Sequence, residues 1–315
     1  MESTVETTTD VAEGYAESGL HVALVIAAFF FSLVGIVVNA TTLVVMFRAH
    51  ILRKSSIHVF IASLCCSDFL IGFSTALFQL QQINLHLEFA CQRTMAILGF
   101  AAAIFMNISF LTSNANIFFI SSDRASAALF PLSYKSIMTV KRATWAVIIA
   151  WTFIAINIAI CAIFSMKTQG LIVMKYASDF LPENIVRYLS IFPLLVITTN
   201  IVLYIIIVVS LVRSSAKVHS SSSSDQHGRR LTRMVTMLLG ILFLGNLPIT
   251  VVSNMAVNNQ DRQGTLQMWY DVTSLVVLLT IAFNNAIYVW QLPDFKKGMK
   301  RLLFCNTSNA VNVTS

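Results

Sequence analysis

The sequence predicts an all-α membrane protein, a bundle of seven transmembrane helices followed by a short amphipathic eighth helix. Of its 315 residues, 57% are hydrophobic and only 11% are charged, whereas soluble domains carry about 25% charged residues. Seven apolar stretches also reach the length of about 20 residues that a helix needs to cross a bilayer. They lie at residues 19–47, 57–83, 94–122, 143–166, 188–212, 231–257 and 266–290.

Basic residues predict the orientation of these spans. With the N-terminus outside, 16 of the 21 Lys and Arg residues fall in the inner segments and the tail, the side on which basic loops remain. We expect a multi-pass plasma-membrane protein with an extracellular N-terminus at 1–18, a seven-helix domain at 19–293, and an eighth helix and cytoplasmic tail at 294–315. The net charge of +7 then faces the anionic inner leaflet and does not indicate nucleic-acid binding.

The second span carries an acid, Asp68, in a position that a bilayer disfavours. A charge there costs about 2.5–3.5 kcal/mol on insertion scales, so its retention indicates a function. Polar residues of three other spans lie at a similar depth, namely Asn39, Ser113 and Asn284. Oxygen ligands of these types suit a hard cation, which predicts a sodium site at Asp68. A structural acid that these neighbours satisfy is the alternative.

The third span ends with an Asp-Arg pair, Asp123 and Arg124, which we expect to open a basic loop. An arginine at this depth can extend its side chain to the lipid headgroups without having any role in signalling. Because Asp123 precedes it directly, Arg124 could instead exchange an intramolecular partner for one in the cytosol.

The remaining polar segments do not indicate catalysis. The six histidines are scattered over both ends of the bundle, and no metal-ligand spacing or nucleophile–base pair is present. We therefore expect no enzyme, and no cofactor apart from the sodium ion. The serine-rich segment 214–230 is interpreted as a flexible loop, either a plain linker or a site of phosphorylation.

The tail begins with an amphipathic segment at 294–305. Its apolar residues recur at helical spacing, and its basic residues fall largely on the other side. This pattern predicts a helix on the inner membrane surface. Electrostatic attachment is one possibility, and acylation of Cys305 would add the second anchor that stable attachment needs.

Short motifs occur along the chain in a characteristic order. They are GIVVN at 35–39, LCCSD at 64–68, SDRASAALFPLSY at 122–134, LPIT at 247–250, NNAIY at 284–288 and DFKKGMKRLLFC at 294–305. Over about residues 20–305 the chain therefore resembles the rhodopsin-like G-protein-coupled receptors. The resemblance implies an extracellular ligand, a heterotrimeric G protein, membrane lipids, receptor kinases and arrestin as partners, and a palmitoylated Cys305.

The resemblance also implies a switch at the inner face. Arg124 is expected to pair with Asp123 in the inactive state and to meet the G protein after activation. Tyr204 and Tyr288 are placed to receive the freed arginine. The rivals to this interpretation are a seven-helix transporter or channel, and a receptor fold that signals without G protein.

The residues at the expected ligand-pocket positions differ from those of well-known receptor subfamilies. LSYKSIMTVKRA at 132–143 most resembles the melanocortin receptors, although the positions of their peptide-binding acids hold Phe78, Gly99 and Ala103. The position of the amine-binding aspartate is Met106, and that of the sixth-helix tryptophan is Asn246. Asp271 is one of few outer acids. An apolar pocket of this kind suits a lipid or small amphiphile, with a peptide as the alternative.

Overall fold

The computed structural model describes residues 19–169, 183–216, 237, 240, 243–255, 263–291 and 293–303. Eight helical segments follow one another along these residues. They are α1 Gly19–Arg48, α2 Ser56–Leu87, α3 Gln92–Leu129, α4 Val140–Gln169, α5 Glu183–Ala216, α6 243–255, α7 Gln263–Gln291 and α8 Pro293–Leu303. A 3₁₀ turn, Ile51–Arg53, joins α1 to α2, and a single helical turn, Tyr134–Ile137, lies between α3 and α4.

Six of these helices, α1 to α5 and α7, are long and apolar enough to cross a membrane. Their most apolar windows have a mean hydropathy between 1.5 and 2.6, so the predicted spans at these six places are confirmed. The sixth predicted span, 231–257, is described mainly through the helical residues of α6. The predicted N-terminal segment 1–18 and Cys305 lie outside the described residues.

The third helix is longer than predicted. The apolar stretch ended at residue 122, but α3 continues to Leu129. Its last turns contain several small residues compatible with a helix, and the helix stops at Phe130, directly before Pro131, where proline disfavours a helical residue before it. The expectation that Asp123 and Arg124 open a loop is therefore wrong, because both residues lie inside the helix.

The helices pack around α2 and α3. Helix α3 contacts α2, α4 and α5, while α1 contacts α2 and α7. Large apolar side chains on α4, such as Ile149, Phe153 and Ile160, are exposed on the outer surface, where a bilayer would solvate them. Among the residues that the structure describes, most of the buried polar side chains are carried by α2 and α3, which places polar chemistry at the centre of the bundle.

An apolar cluster fills one end of the bundle, which we call the inner end because it lies beside Arg124. The cluster joins buried residues of α1, α2, α3, α5 and α8, including Met46, Leu64, Ile120, Ile207 and Phe295. Phe295 is 1% exposed, so α8 inserts an aromatic ring into the core. The opposite end of the bundle is called the outer end.

Candidate functional site

Asp68 lies in the middle of the bundle and is 1% exposed. The Ser113 hydroxyl of α3 donates a hydrogen bond to Asp68 Oδ1 at 3.3 Å, and the Asn284 amide of α7 donates to Oδ2 at 3.4 Å. Among the described residues, no salt bridge reaches this carboxylate. Two long hydrogen bonds from neutral groups compensate a buried charge only in part, so the site favours an additional cation or proton.

Asn284 supplies a second observation at this site. Its side-chain carbonyl Oδ1 is buried and has no hydrogen-bond partner among the described residues, and such atoms are rare in native proteins. A hard cation uses this kind of oxygen ligand together with a carboxylate. The side chains of Asp68, Ser113 and Asn284 therefore fit a sodium ion in the types of donor they offer.

Asn39, the fourth residue predicted for this site, is buried on α1 with 0% exposure. Its amide donates to the backbone carbonyl of Gly35 at 2.9 Å, one turn earlier in the same helix. The structure thus brings Asp68, Ser113 and Asn284 together by direct hydrogen bonds. Asn39 is buried on α1.

Asp123 and Arg124 form a buried ion pair near the inner end of α3. Arg124 Nε donates to Asp123 Oδ2 at 3.0 Å, and Arg124 Nη2 donates to the same oxygen. The two residues are 0% and 4% exposed, so the arginine does not extend into the headgroup region as a free cation. Removing one partner of such a pair leaves an uncompensated buried charge, which costs about 3–5 kcal/mol.

Tyr134, from the helical turn after α3, closes this pair. Its hydroxyl accepts a hydrogen bond from Arg124 Nη2 at 2.8 Å and donates to Asp123 at 3.1 Å. Burial raises the pKa of the tyrosine above its ordinary value, so the hydroxyl stays protonated and remains a donor at neutral pH. The Arg124 guanidinium also lies 5.7 Å from the centre of the Tyr134 ring, within the range of a cation–π contact.

Ser56, the first residue of α2, completes the network. Its hydroxyl donates to Asp123 Oδ1 at 2.6 Å and is itself 2% exposed. Asp123 therefore accepts hydrogen bonds from α2, from the turn after α3 and from its own neighbour. Ser56 and Tyr134 were not predicted as site residues from the sequence; the only signal for Tyr134 was its place in the motif at 122–134.

The other two residues predicted for the switch, Tyr204 and Tyr288, lie on α5 and α7. Tyr204 is half-buried on α5 and packs edge-on against Phe243 of α6, with ring centroids 6.0 Å apart. Tyr288 lies on α7, but its side chain falls outside the described residues. In this arrangement Tyr204 contacts α6, and the polar partners of Arg124 are Asp123 and Tyr134.

The predicted pocket residues lie on three helices. Met106 is half-buried on α3, and Asn246 is 7% exposed on α6. Asp271 of α7 lies 3.1 Å from His21 Nδ1 of α1 and accepts a hydrogen bond from Gln267 at 3.1 Å. Asp271 is thus engaged in a contact between α1 and α7. This contact could not be predicted, because His21 is one of several histidines scattered along the sequence.

A buried glutamine marks the outer part of the α2–α3 contact. Gln81 of α2 has 0% exposure, and its side chain fills the space beside Gly99 of α3. A Cβ atom at residue 99 would overlap Gln81 Oε1. Gly99 therefore makes room for an amide where the resemblance to melanocortin receptors would place an acid.

A family model described as "7 transmembrane receptor (rhodopsin family)" matches residues 38–288. The matched region is more than three quarters of the 315 residues. It contains Asp68 with its partners Ser113 and Asn284, and the Asp123–Arg124 pair.

Proposed function

The chain belongs to the rhodopsin family of seven-transmembrane receptors, and from this premise we propose how it signals. It is a multi-pass membrane protein and a G-protein-coupled receptor, which couples an extracellular ligand to a heterotrimeric G protein. The family consists of receptors rather than enzymes, and nothing in the match favours a transporter or a channel.

The switch is the network of Asp123, Arg124, Tyr134 and Ser56, which is the observation that carries the proposal. Asp123 and Tyr134 hold Arg124 inside the bundle, a closed arrangement suited to the inactive state. Activation releases the arginine to meet the G protein as α6 moves outward. Tyr204 and Tyr288 then receive the arginine or a bridging water. The exchange of partners for one buried charge supplies the two discrete states that a switch needs.

The ion is sodium, held by Asp68, Ser113 and Asn284, and the buried Asn39 of α1 is a further proposed contact. The support for this proposal is the buried carboxylate with only long, neutral hydrogen bonds and the buried Asn284 oxygen without a hydrogen-bond partner among the described residues. An ion that binds one state better than the other shifts the equilibrium toward that state, and we assign the sodium-bound form to the inactive receptor.

The ligand is a lipid or a small amphiphile. The outer half of the bundle contains a buried apolar cluster that includes Phe78, Ala102 and Ala103, and Asp271 already contacts His21. Few acids are left to bind a cationic amine or a basic peptide. Met106, Asn246 and Asp271 are the proposed contacts. The second inner segment, 132–143, resembles that of the melanocortin receptors, but the chain lacks their peptide-binding acids.

The receptor lies in the plasma membrane with its N-terminus outside and its C-terminus in the cytosol. The support is the excess of Lys and Arg in the inner segments. Receptor kinases and arrestin act on this inner side, where the serine-rich segment 214–230 offers hydroxyl groups. Membrane lipids contact α8, and Cys305 carries a palmitoyl chain.

Cells that express the receptor together with G-protein dissociation sensors test this function. A library of lipids and small amphiphiles should yield a ligand that dissociates a G protein, and Arg124→Ala expressed at equal surface density should lose that response. A substrate flux through the protein without any G-protein response would contradict the proposal.

A further inference from the structure

Two buried polar atoms on α3 and α5 are not used by the closed switch. They are the hydroxyl oxygen of Ser121 and the side-chain carbonyl oxygen of Asn200, and neither has a hydrogen-bond partner among the described residues. Both residues are almost completely buried. Buried polar atoms without a partner are rare in native proteins, so each of these two needs an explanation.

The hydroxyl of Ser121 and the carbonyl of Asn200 are complementary groups. Ser109 and Thr112 of α3 donate to the backbone carbonyl one turn earlier, at 2.6 and 2.7 Å, as hydroxyls inside helices commonly do. Ser121 makes no such bond. The amide nitrogen of Asn200 donates to the Val196 carbonyl at 2.9 Å, which leaves Oδ1 as an acceptor. The serine hydroxyl is therefore a free donor, and the asparagine oxygen is a free acceptor.

Both residues lie one helical turn from a residue of the proposed switch. Ser121 precedes Arg124 by three positions, and Asn200 precedes Tyr204 by four. Residues at these spacings share one face of a helix. Because α3 and α5 both run from the outer end to the inner end, Ser121 and Asn200 each lie one turn closer to the outer end than the switch residue on the same helix.

Helices α3 and α5 are in contact at this level of the bundle. Ile120 of α3 and Ile207 of α5 belong to the inner apolar cluster, against which Tyr204 also packs. The Tyr204 hydroxyl, however, lies beside α6, because a Cβ at Gly240 would be 3.9 Å from it. In this closed arrangement α6 therefore occupies the space next to Tyr204.

We propose that Ser121 donates a hydrogen bond to Asn200 Oδ1 when the receptor opens, and that this bond holds α5 against α3. The inference rests on the proposed function, in which α6 moves outward and Tyr204 receives Arg124. A meeting of Arg124 with Tyr204 brings together the turns that carry Ser121 and Asn200. The two atoms lack partners in the closed state and gain each other in the open state, so both effects favour opening. Ser121 and Asn200 are positioning residues, since they act through α5.

The first test compares thermal stability with nucleotide exchange on a purified heterotrimeric G protein in lipid vesicles. Ser121→Ala removes an unpaired hydroxyl from the closed parent, so the melting temperature of the purified protein should not fall. In the Tyr134→Phe background, which favours the open state, the same substitution should slow exchange about fivefold, the factor for one hydrogen bond. Ser109→Ala is the matched control on α3 and should leave exchange unchanged. A serine with only a structural role would lower the melting temperature, and that result would overturn the proposal.

A double-mutant cycle tests whether the two residues act on each other. Asn200→Leu should slow exchange in the Tyr134→Phe background as Ser121→Ala does. The double variant should be no slower than either single variant, because one hydrogen bond can be lost only once. If the two effects multiplied to about 25-fold, the hydroxyl and the carbonyl would have separate partners and the proposed bond would be wrong.

A cross-link tests the proximity of the two residues without any G protein. A disulfide forms only between cysteines whose Cα atoms lie within about 7 Å. The pair Ser121→Cys/Asn200→Cys should therefore cross-link faster in the Tyr134→Phe background than in the parent, whereas the control pair Ser109→Cys/Asn200→Cys should not cross-link. Equal rates in the two backgrounds would overturn the proposal, and the exchange cycle decides if the cysteine variant does not fold. Faster cross-linking without any G-protein response would contradict only the proposed function.

Discussion

The hydroxyl of Tyr134 accepts a hydrogen bond from Arg124 and donates one to Asp123. Tyr134→Phe removes these hydrogen bonds and leaves the ring in place. The loss of about 1 kcal/mol from the closed state should raise ligand-independent signalling about fivefold. Basal G-protein dissociation at matched surface expression measures the effect. Tyr188→Phe, at an exposed tyrosine of α5, is the control, and equal basal activity in both variants would contradict the closed network.

A substitution at Asp68 tests the proposed sodium site. The affinity of an agonist for the parent should fall as sodium replaces N-methylglucamine at constant ionic strength, by about fivefold or more. Asp68→Asn keeps the shape of the side chain but removes the charge, so its agonist affinity should not depend on sodium. A variant that keeps the sodium dependence of the parent would exclude Asp68 as the ligand.

Some of these site residues could be predicted from the sequence and others could not, and the reason is physical. Asp68 and Arg124 were found because charges within apolar spans are conspicuous. Ser56 hydrogen-bonds to Asp123 across 67 positions, and His21 contacts Asp271 across 250. Neither serine nor histidine is unusual where it stands in the sequence, so these contacts become visible only when the helices are packed.

At the scale of the helices, apolar length predicted where the spans lie but not where the helices end. Hydropathy falls at the charged pair Asp123–Arg124, yet α3 continues to Leu129, since backbone hydrogen bonding does not depend on hydropathy. The spacing at 294–305 did predict α8, because a short helix with one apolar face has a clear period. The helix that this face packs against could not be predicted. Gly298 lets α8 lie close to Val45 and Ala49 of α1, but a glycine in the sequence does not indicate which helix will approach it.

The contact of α2 with α3 leads to a prediction about Gly99. Gly99→Ala should destabilise the receptor by about 1–3 kcal/mol through overpacking against Gln81, seen as a lower melting temperature of the purified protein. The same substitution should cost much less in a Gln81→Ala background, which a double-mutant cycle measures. Gly35→Ala is the control, because its new Cβ would lie 3.5 Å from Ile281 Cγ2, an ordinary contact.

One outcome would contradict the packing of Gln81 against Gly99. If Gly99→Ala lowered the melting temperature equally in the parent and in the Gln81→Ala background, the cost would come from the backbone of α3 rather than from the glutamine. The glycine would then not be required to make room for the buried amide.

In the whole molecule, polar groups with polar partners lie at both ends and in the middle of the bundle. His21 and Asp271 lie near the outer end, Asp68 in the middle, and Asp123 with Arg124 near the inner end. Apolar clusters separate these sites, so a change at one site reaches another only if the helices shift together. This arrangement suits a receptor in which ligand, ion and G protein bind at different depths and favour one of two packings.

The most direct test of this account is nucleotide exchange on a purified heterotrimeric G protein by the receptor reconstituted in lipid vesicles. Asp123→Ala removes the partner that holds Arg124 in the closed state, so this variant should accelerate exchange above the parent and above empty vesicles. Adding Arg124→Ala should return exchange to the level of empty vesicles. If Asp123→Ala gave no acceleration with any class of G protein, or if the double variant were as active as Asp123→Ala, the proposed switch would be wrong.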